Sequence, residues 1–464
     1  MKIVLVNPRF DLNSKFSQHP LGLAKIASVI AEKNDVKIID GNALLLNHED
    51  VCRQVLDLEP DLVGFTSTTG CIPSTIKEAE LIKSINPNIT TVLGGVHASA
   101  LPRETLEVNK CFDYLIFGEG EETFKEFLLS YDKTPESIKG LAYRKNDKVY
   151  VNSSRPLLEV LDSYPFTAYD LLPMKDYKPF QPYIMRKPYA PMMASRGCPF
   201  QCCYCYKELF GSRYRSNSPK YVIDEMKMLI EKFGIREINF YDDVFTMDIK
   251  RTKKICELII ENNLDVTWSC ETRVDLIDEK LLTLMKKAGC HLIAYGVESG
   301  NRQILNRICK GVTLEQVEKA FKLTETAGID VLAFFIIGSP TENKDTVTDT
   351  INFAKKLNPK YCQFSVLTPF PNSQIYQEWI KTHKDFSWER FVFADVSSSD
   401  FTRLPVYCTD DLSSEELLKW LSIAYKQYYV RWKYLYEHVF KHPSINGTKF
   451  LYYGFTKLLN SKFS

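Results

Sequence analysis

The chain alternates short apolar segments with amphipathic segments of helical periodicity, and this alternation limits its fold more than any other feature of the sequence. It runs through two stretches, residues 2–117 and 190–367. Short apolar runs bounded by turn residues are typical of buried parallel strands, which require crossover helices between them. The sequence therefore predicts an α/β fold with two parallel sheets built from right-handed connections.

The first stretch predicts an N-terminal doubly wound parallel-sheet (Rossmann-like) domain over residues 1–135. Helical periodicity covers residues 21–33 and 73–85, between the predicted strands. Ligands of such sheets bind at the carboxyl ends of the strands. The predicted strands are Lys2–Asn7, 36–40, 61–67, 91–95 and 113–117.

Three of these strand ends are rich in small and polar residues. They read Thr-Ser-Thr-Thr-Gly at 66–70, Gly-Gly-Val-His at 94–97 and Gly-Glu-Gly-Glu at 118–121. Small residues allow a flat or phosphate-bearing ligand to approach the backbone closely. Glycines are also common in ordinary βα turns, so each loop by itself fits either interpretation.

A hairpin and a linker are predicted over residues 136–188. Residues 139–152 alternate apolar and polar positions around a turn at 145–148, as a hairpin requires. The segment that follows shows little periodicity, which is typical of a linker that wraps around its neighbours. The prolines that interrupt it are Pro156, Pro165, Pro173, Pro179, Pro182 and Pro188.

The second stretch predicts a partial (β/α)6 TIM-type barrel over residues 189–375, open on one side, with a mostly helical region after it at 376–464. Functional residues of barrels gather where strands end, and Cys198, Asp242, Glu271, Glu298 and Gly338 fall there. The predicted strands are 190–195, 237–241, 266–271, 292–297, 331–337 and 361–367, and the helices are 221–232, 249–262, 279–288, 314–327 and 345–357.

Composition narrows the class of protein. A chain of 464 residues with 45% hydrophobic and 25% charged residues is typical of a globular protein of two or three domains. The net charge of +1 gives no global field for nucleic acid. The N-terminus lacks a signal-peptide layout, and no run of about 18 apolar residues occurs. The 13 cysteines are then expected to be free thiols or metal ligands in a reducing cytoplasm.

Three cysteines in the stretch SRGCPFQCCYCY carry the chemistry: Cys198, Cys202 and Cys205. Thiolates at this spacing can hold three irons of a [4Fe–4S] cube and leave the fourth iron open. Gly197 permits a tight entry to the loop, and Cys203 is out of step with the trio. Structural zinc is the rival, although zinc normally takes four protein ligands and no second cysteine pair at this spacing is present.

The motif Cys198-x3-Cys202-x2-Cys205, with aromatic Tyr204 before the third cysteine, resembles the radical SAM superfamily. In that family the cysteines ligate a [4Fe–4S] cluster whose open iron chelates S-adenosylmethionine. One electron then cleaves the sulfonium to a 5′-deoxyadenosyl radical. The resemblance implies an enzyme with an organic substrate and an electron donor such as flavodoxin or ferredoxin.

The strand ends extend the resemblance to the binding of S-adenosylmethionine. By analogy an acid of the second strand faces the ammonium, the third-strand pair faces methionine or substrate, and the fourth strand faces ribose or the amino acid part. A fifth-strand glycine and a sixth-strand aromatic residue then line the adenine. These expected contacts are Tyr204, Asp242, Asp243, Glu271, Arg273, Glu298, Ser299, Gly338 and Phe364.

The N-terminal domain, placed before such a catalytic domain, resembles the cobalamin-binding domain of the cobalamin-dependent radical SAM enzymes, which include methyltransferases and cyclases. That resemblance implies a corrin ring across the strand ends. The string Asp-x-His-x-x-Gly, whose histidine binds cobalt in many cobalamin enzymes, is absent, and His97 is expected to be a loop or core histidine. The expected contacts are Thr66, Ser67, Thr68, Gly94, Gly95, Val96, His97, Gly118 and Glu119.

The C-terminal region contains an aromatic, partly basic helix at 414–440, opened by a cap at Ser413 to Glu416. We expect it to pack its aromatic residues on the barrel. A wall of the substrate pocket or a membrane-contacting surface is the alternative, because residues 450–459 are also aromatic and basic.

Two functions therefore stay open from the sequence. The first is an enzyme that makes a substrate radical and either methylates an unactivated carbon through cobalamin or rearranges, cyclises or oxidises it. A relative that has this N-terminal domain but binds no cobalamin also stays open. The second is a non-catalytic iron–sulfur protein that transfers electrons. The motifs for S-adenosylmethionine favour the enzyme, because an electron carrier needs no such cleft.

Overall fold

The protein divides into two units, which are described separately. A computed structural model describes residues 1–9, 16–131, 133–179, 183–383, 391 and 404–437. In these ranges, no helix combines the length and the apolar character needed to cross a bilayer. The first unit comprises Met1–Pro179, Tyr206–Arg215 and Phe370–Glu389, and the second comprises Phe180–Cys205, Ser216–Pro369 and Arg390–Ser464.

The first unit contains a sheet of seven strands in the order β2-β1-β3-β4-β5-β6-β7. The first five strands are parallel, which confirms the doubly wound sheet, and the predicted hairpin adds two antiparallel strands to the same sheet. The strands are β1 (Lys2–Asn7), β2 (Asp35–Asp40), β3 (Leu62–Thr66), β4 (Thr90–Gly94), β5 (Tyr114–Ile116), β6 (Leu141–Lys145) and β7 (Lys148–Val151).

Helices cover both faces of this sheet because successive strand residues are apolar on opposite sides. Ile3 and Leu5 pack in one cluster with α1 and α6, whereas Val4 and Val6 pack in a second cluster with α2, α3 and α5. The helices are α1 (Leu21–Ile30), α2 (His48–Asp57), α3 (Ile72–Ile85), α4 (Val96–Ala100), α5 (Pro102–Val108) and α6 (Gly120–Ser130).

The second unit contains six parallel strands in the order β15-β14-β13-β12-β11-β8. Spatial order follows chain order, with the first and last of these strands at the edges, as expected of an open partial barrel. This confirms the predicted fold class, while the sequence-derived domain limits stay predictions. The remaining strands are β8 (Tyr189–Met192), β9 (Ser195–Arg196), β10 (Arg215–Ser216), β11 (Glu237–Phe240), β12 (Thr267–Thr272), β13 (Cys290–Glu298), β14 (Asp330–Ile337) and β15 (Tyr361–Val366).

Side-chain caps set where many helices of this unit begin. Ser218, Asp248 and Asp278 each accept a backbone N–H of the first turn, and Thr313 and Asn343 form full capping boxes. The remaining helices are α7 (Pro219–Phe233), α8 (Ile249–Glu261), α9 (Glu279–Lys287), α10 (Arg302–Arg307), α11 (Leu314–Thr326), α12 (Lys344–Leu357), α13 (Gln374–Trp379, in the first unit), α14 (Ser414–Tyr429) and α15 (Trp432–Leu435).

The C-terminal helix α14 packs its tyrosines on β15. Ser413 and Glu416 form the predicted capping box. Tyr425 and Tyr428 contact the ring of Phe364 edge-on, which confirms that the aromatic face packs on the sheet. Residues 438–440 of the predicted helix and the aromatic segment 450–459 lie outside the described residues.

Candidate active site

The predicted cluster ligands lie in the loop that follows β9. Cys202 is buried, Cys198 is half-buried and Cys205 is exposed. The Cys205 N–H donates to the Cys202 carbonyl at 3.2 Å, which forms a tight turn between the two thiols. At the start of the loop, Gly197 has φ +86° and donates its N–H to Asp243. A residue with a side chain would be strained at that backbone angle.

One thiol of the Cys202–Cys205 pair is held ready to bind iron as a thiolate. The hydrogen bond with Cys202 raises the pKa of the Cys205 thiol well above its ordinary value. A hydrogen bond from the Cys205 thiol lowers the pKa of Cys202 to about 6, and the Lys310 ammonium also favours this thiolate. Cys203 is directed elsewhere, because its N–H donates to the Ile308 carbonyl and its thiol to the Arg307 carbonyl.

This donor set fits an iron–sulfur cube. Each cysteine of a cube binds a different iron, so the three sulfurs need not converge on one point. In the described part of the chain, no three His, Cys, Asp or Glu side chains converge as the ligands of a single metal ion would. The loop therefore provides three thiol ligands, two of which are hydrogen-bonded to each other, with access from solvent at Cys205.

A buried polar cluster lies beside the cysteine loop. Glu298 Oε1 accepts hydrogen bonds from Tyr204 Oη at 3.0 Å and from Lys310 Nζ at 2.7 Å. Both members of the Glu298–Lys310 ion pair are 8% exposed. Sequence reasoning missed Lys310, because it lies in the loop after α10, where no motif marks it. The pair holds an acid and a base next to the predicted cluster.

The backbone around Glu298 is shaped for this pair. Glu298 has φ +70°, and the pairing of β13 with β14 shifts register between Gly296 and Glu298. A Cβ at Gly296 would lie 2.3 Å from Glu298 Oε1 and 2.7 Å from Lys310 Nζ. A side chain at position 296 would therefore displace the Glu298–Lys310 ion pair. A non-glycine residue in the left-handed region is strained, and such strain concentrates at functional sites.

Arg273, directly after β12, contacts the cysteine loop. Its guanidinium lies 3.6 Å from the centre of the Phe200 ring, inside the loop. It also makes two 3.0 Å hydrogen bonds with Asp275 and donates to the Lys310 carbonyl at 2.9 Å. These contacts use the guanidinium to fix both the loop and the backbone at Lys310.

Three other predicted contacts already form hydrogen bonds or ring contacts inside the protein. Asp242 is fully buried and accepts from the Ala194 N–H and the Ser195 hydroxyl, and burial raises its pKa to about 6. The Ser299 hydroxyl pairs with that of Thr350. Phe364 is fully buried and stacks on Phe335, so its ring has no exposed face.

Gly338 forms a turn that is closed by Glu342, a residue that sequence reasoning missed. Gly338 has φ +86°, and its N–H and that of Ser339 both donate to Glu342 Oε2. A Cβ at Gly338 would lie 2.9 Å from Leu417 of α14. The turn is therefore packed against the C-terminal helix.

Glu271 is the predicted contact that is least engaged by the protein. Its side chain is exposed and forms no hydrogen bond with any described residue. Desolvation, with smaller contributions from the Asp243 and Glu298 carboxylates, raises the pKa of Glu271 to about 7. This carboxyl is available to a ligand.

In the first unit, the glycine-rich strand ends meet at one edge of the sheet. Thr66 and Gly94 are partners in the β3–β4 register. Gly95 has φ +92°, and a Cβ there would lie 2.8 Å from both Ser67 backbone N and O. The Ser67 hydroxyl, buried, accepts from Thr75. The two strand ends therefore approach closely because Gly95 has no side chain.

The same edge presents an open, small-residue surface. Thr68 and Val96 are exposed, and a Cβ at Gly118 would meet nothing within 4 Å. His97 is buried beside Thr69, and burial lowers its pKa to about 4. Such a surface fits a large flat ring such as a corrin, and the buried histidine agrees with its expected place in the core.

Glu119 is held by an ion pair instead of facing this surface. Its carboxylate accepts from Arg215 at 2.8 and 3.0 Å and from the Leu158 N–H at 2.8 Å. Both charged side chains are at most 3% exposed. The pair fixes the segment Tyr206–Arg215, which begins directly after the last cysteine of the trio.

Two family descriptions match the chain. Residues 192–354 match the radical SAM superfamily and residues 11–128 match the B12 binding domain. An uncharacterized methyltransferase of Pyrococcus horikoshii is 38% identical over 451 residues, which cover 95% of each chain. This chain belongs to the radical SAM superfamily. It joins the superfamily's catalytic domain to a B12 binding domain, as the sequence predicted.

Further similarities agree with this radical SAM assignment. An anaerobic magnesium-protoporphyrin IX monomethyl ester cyclase of Rubrivivax gelatinosus is 29% identical over 412 residues, covering 86% of this chain and 71% of the cyclase. The solved structure of the cobalamin-dependent S-adenosylmethionine radical enzyme OxsB is similar with a TM-score of 0.73 and 17% identity. The superposition covers 99% of this chain and 72% of the OxsB chain. The last similarity shows a shared fold.

The protein is thus a radical SAM enzyme with a [4Fe–4S] cluster, S-adenosylmethionine and cobalamin as its cofactors. This confirms the predicted enzyme class and cofactors. The part that each predicted residue takes in binding them stays a prediction.

Proposed function

We propose that this radical SAM enzyme methylates an unactivated carbon of an organic substrate. One observation carries the proposal: a cysteine trio and an open, small-residue strand edge occur in one chain that aligns over nearly its whole length with a methyltransferase. When bound, the cluster and S-adenosylmethionine supply an organic radical, and cobalamin supplies a transferable methyl group. A substrate carbon radical can accept that methyl group.

The residues of the chain bind and orient these groups. Cys198, Cys202 and Cys205 hold the cluster, and Arg273 fixes their loop. The Glu298–Lys310 pair offers opposite charges to the ammonium and carboxylate of the methionine part. In the first unit, Thr66, Thr68, Gly94, Val96 and Gly118 form the surface for the corrin. An electron donor such as flavodoxin or ferredoxin completes the system.

Radical cyclisation is the second candidate. It is favoured by the similarity to the anaerobic cyclase, which extends over 86% of this chain. The two reactions differ in their products, because a methyl group taken from S-adenosylmethionine leaves S-adenosylhomocysteine, whereas cyclisation transfers no methyl group.

The test is turnover of oxygen-free protein reconstituted with iron, sulfide and hydroxocobalamin under a strong reductant. We expect 5′-deoxyadenosine and S-adenosylhomocysteine to form together, in equal amounts per methylated product. Cys202→Ala should form no 5′-deoxyadenosine, whereas the matched variant Cys203→Ala should form it as the parent protein does. 5′-Deoxyadenosine without S-adenosylhomocysteine would favour the cyclase, and neither product would contradict both candidates.

A further inference from the structure

The concave face of the second sheet carries a stripe of four polar residues. They are Asn239 on β11, Tyr241 directly after β11, and Ser269 and Glu271 on β12. Trp268 packs on the helix side, where its indole contacts Phe240 and donates to the Ala288 carbonyl. Because strand side chains alternate, Ser269 and Glu271 point to the other face. Asn239 is the register partner of Ser269 and shares that face.

None of the four side chains of this polar stripe forms a hydrogen bond with a residue that the structure describes. The Ser269 hydroxyl is the strongest indication of a ligand among the four side chains, since the residue is 4% exposed and this oxygen has no hydrogen-bond partner in the described structure. Tyr241 and Glu271 lie close enough for the carboxyl to raise the pKa of the phenol. Buried polar groups in proteins are nearly always paired, so the unpaired hydroxyl of buried Ser269 indicates a ligand. The other three side chains are partly or fully accessible and are free to contact the same ligand.

The neighbouring strands complete this face with apolar residues. Ser269 is the register partner of Leu292, and Glu271 is the partner of Ala294. Leu292, Ala294 and Leu332 form a buried cluster against which Phe334 packs. The concave face therefore changes from polar on β11 and β12 to apolar on β13 and β14.

The charge of this face selects the kind of polar group that it can bind. Lys310 and Arg273, at the same end of the sheet, are each paired with a carboxylate. Glu271 has no such partner. Above about pH 7, where Glu271 is ionised, an anion bound here would meet an uncompensated carboxylate, whereas an ammonium or a hydroxyl would donate to it.

We propose that the polar stripe binds an ammonium or hydroxyl group of the substrate, and that the apolar residues hold the ring or hydrocarbon body to which it is attached. The substrate class is thus an amphipathic, non-anionic molecule. This inference rests on the proposed function, because it places the substrate of that reaction on this face. S-Adenosylmethionine also carries an ammonium, so the test has to separate the two sources.

Binding of three matched probes tests the proposal. Tyramine, tyrosol and 4-hydroxyphenylacetate share a phenol ring and differ in carrying an ammonium, a hydroxyl or a carboxylate. Ligands of about ten non-hydrogen atoms reach millimolar affinity or better when their contacts are made. Calorimetry is done on cluster-reconstituted protein without reductant, so that no turnover occurs, with and without saturating S-adenosylmethionine.

We expect tyramine to bind more tightly than tyrosol, and 4-hydroxyphenylacetate to bind at least about tenfold more weakly than tyramine. Glu271→Gln should weaken the binding of tyramine by about tenfold, because it removes a charge-assisted hydrogen bond. The matched variant Glu325→Gln, on the exposed face of α11, should not. Ser269→Ala is an independent test, since it breaks no hydrogen bond of the fold. We expect this variant to bind tyrosol more weakly.

Three results would overturn the inference. The first is equal binding of the carboxylate probe, or no binding of any probe up to about 10 mM. The second is unchanged binding in both Glu271→Gln and Ser269→Ala. The third is displacement of tyramine by S-adenosylmethionine, which would assign the stripe to that cofactor. A failure of methyl transfer itself would instead be seen as missing S-adenosylhomocysteine, with these binding results unaffected.

Discussion

The hydroxyl of Tyr429 makes two hydrogen bonds with the backbone of Cys362: it accepts the N–H at 2.7 Å and donates to the carbonyl at 2.6 Å. Tyr425 does the same for Phe364, at 2.9 and 2.8 Å. Four residues of a helix rise about 6 Å, close to the rise of about 6.6 Å for two residues of a strand. Helix α14 therefore provides hydrogen-bond partners for backbone groups at the free edge of β15, with which another strand would otherwise pair.

Replacing Tyr429 by phenylalanine should lower the free energy of unfolding by about 1–3 kcal/mol, because a buried N–H and a buried carbonyl lose their partner. Urea denaturation measures the change. Tyr436→Phe is the matched control, since this residue is 63% exposed, and it should stay within about 0.5 kcal/mol of the parent. Equal effects of the two substitutions would show that the edge bonds do not stabilise the fold.

Arg215→Met should destabilise the protein by about 3–5 kcal/mol, because it leaves the Glu119 carboxylate buried without its counter-charge. Arg213→Met removes the neighbouring ion pair with Glu159, whose partners are 65% and 61% exposed. Surface pairs contribute little, so this control should cost less than about 1 kcal/mol. Denaturant midpoints that shift by the same amount in both variants would contradict the prediction.

Glu342 should make stability depend on pH. Burial raises its pKa from an ordinary 4.5 to about 7, so between these values the folded chain keeps a proton that the unfolded chain has lost. The stability gained at low pH is therefore lost as pH rises from about 4.5 to about 7, at up to about 1.4 kcal/mol per pH unit. Melting temperatures of Glu342→Gln should show a flatter profile over this range than those of the parent protein. Glu325→Gln should keep the parent profile, and a Glu342→Gln profile that runs parallel to the parent's would refute the assignment.

Two glycine substitutions should separate folding from cobalamin binding. Gly95→Ala places a methyl group 2.8 Å from Ser67 backbone atoms and should unfold the N-terminal strand ends. Gly118→Ala has free space, so its positive φ should cost only about 1 kcal/mol while the added methyl weakens retention of hydroxocobalamin after desalting. Gly22→Ala, in α1 with nothing within 4 Å, should retain the corrin absorbance of the parent. Full retention in Gly118→Ala would remove that residue from the proposed surface.

Much of the fold could be predicted because strand and helix periodicity is local. The predicted strand Lys2–Asn7 matches its observed bounds, and the helix predicted at 249–262 is observed at Ile249–Glu261. The side-chain partners could not be predicted in the same way. Lys310 joins Glu298 only because a loop after α10 returns to the cysteine trio.

The sequence by itself determined the order of strands and helices, the cysteine trio and the small residues at the strand ends. Each of these depends on neighbours along the chain. Only the tertiary structure decided which polar residues form hydrogen bonds within the protein and which are available to a ligand. Asp242 and Glu271 are both acids at strand ends, yet the first is buried under Ala194 and Ser195 and the second is unpaired. That difference arises because hydrogen-bond partners come from segments distant in the chain, whose approach is set by packing.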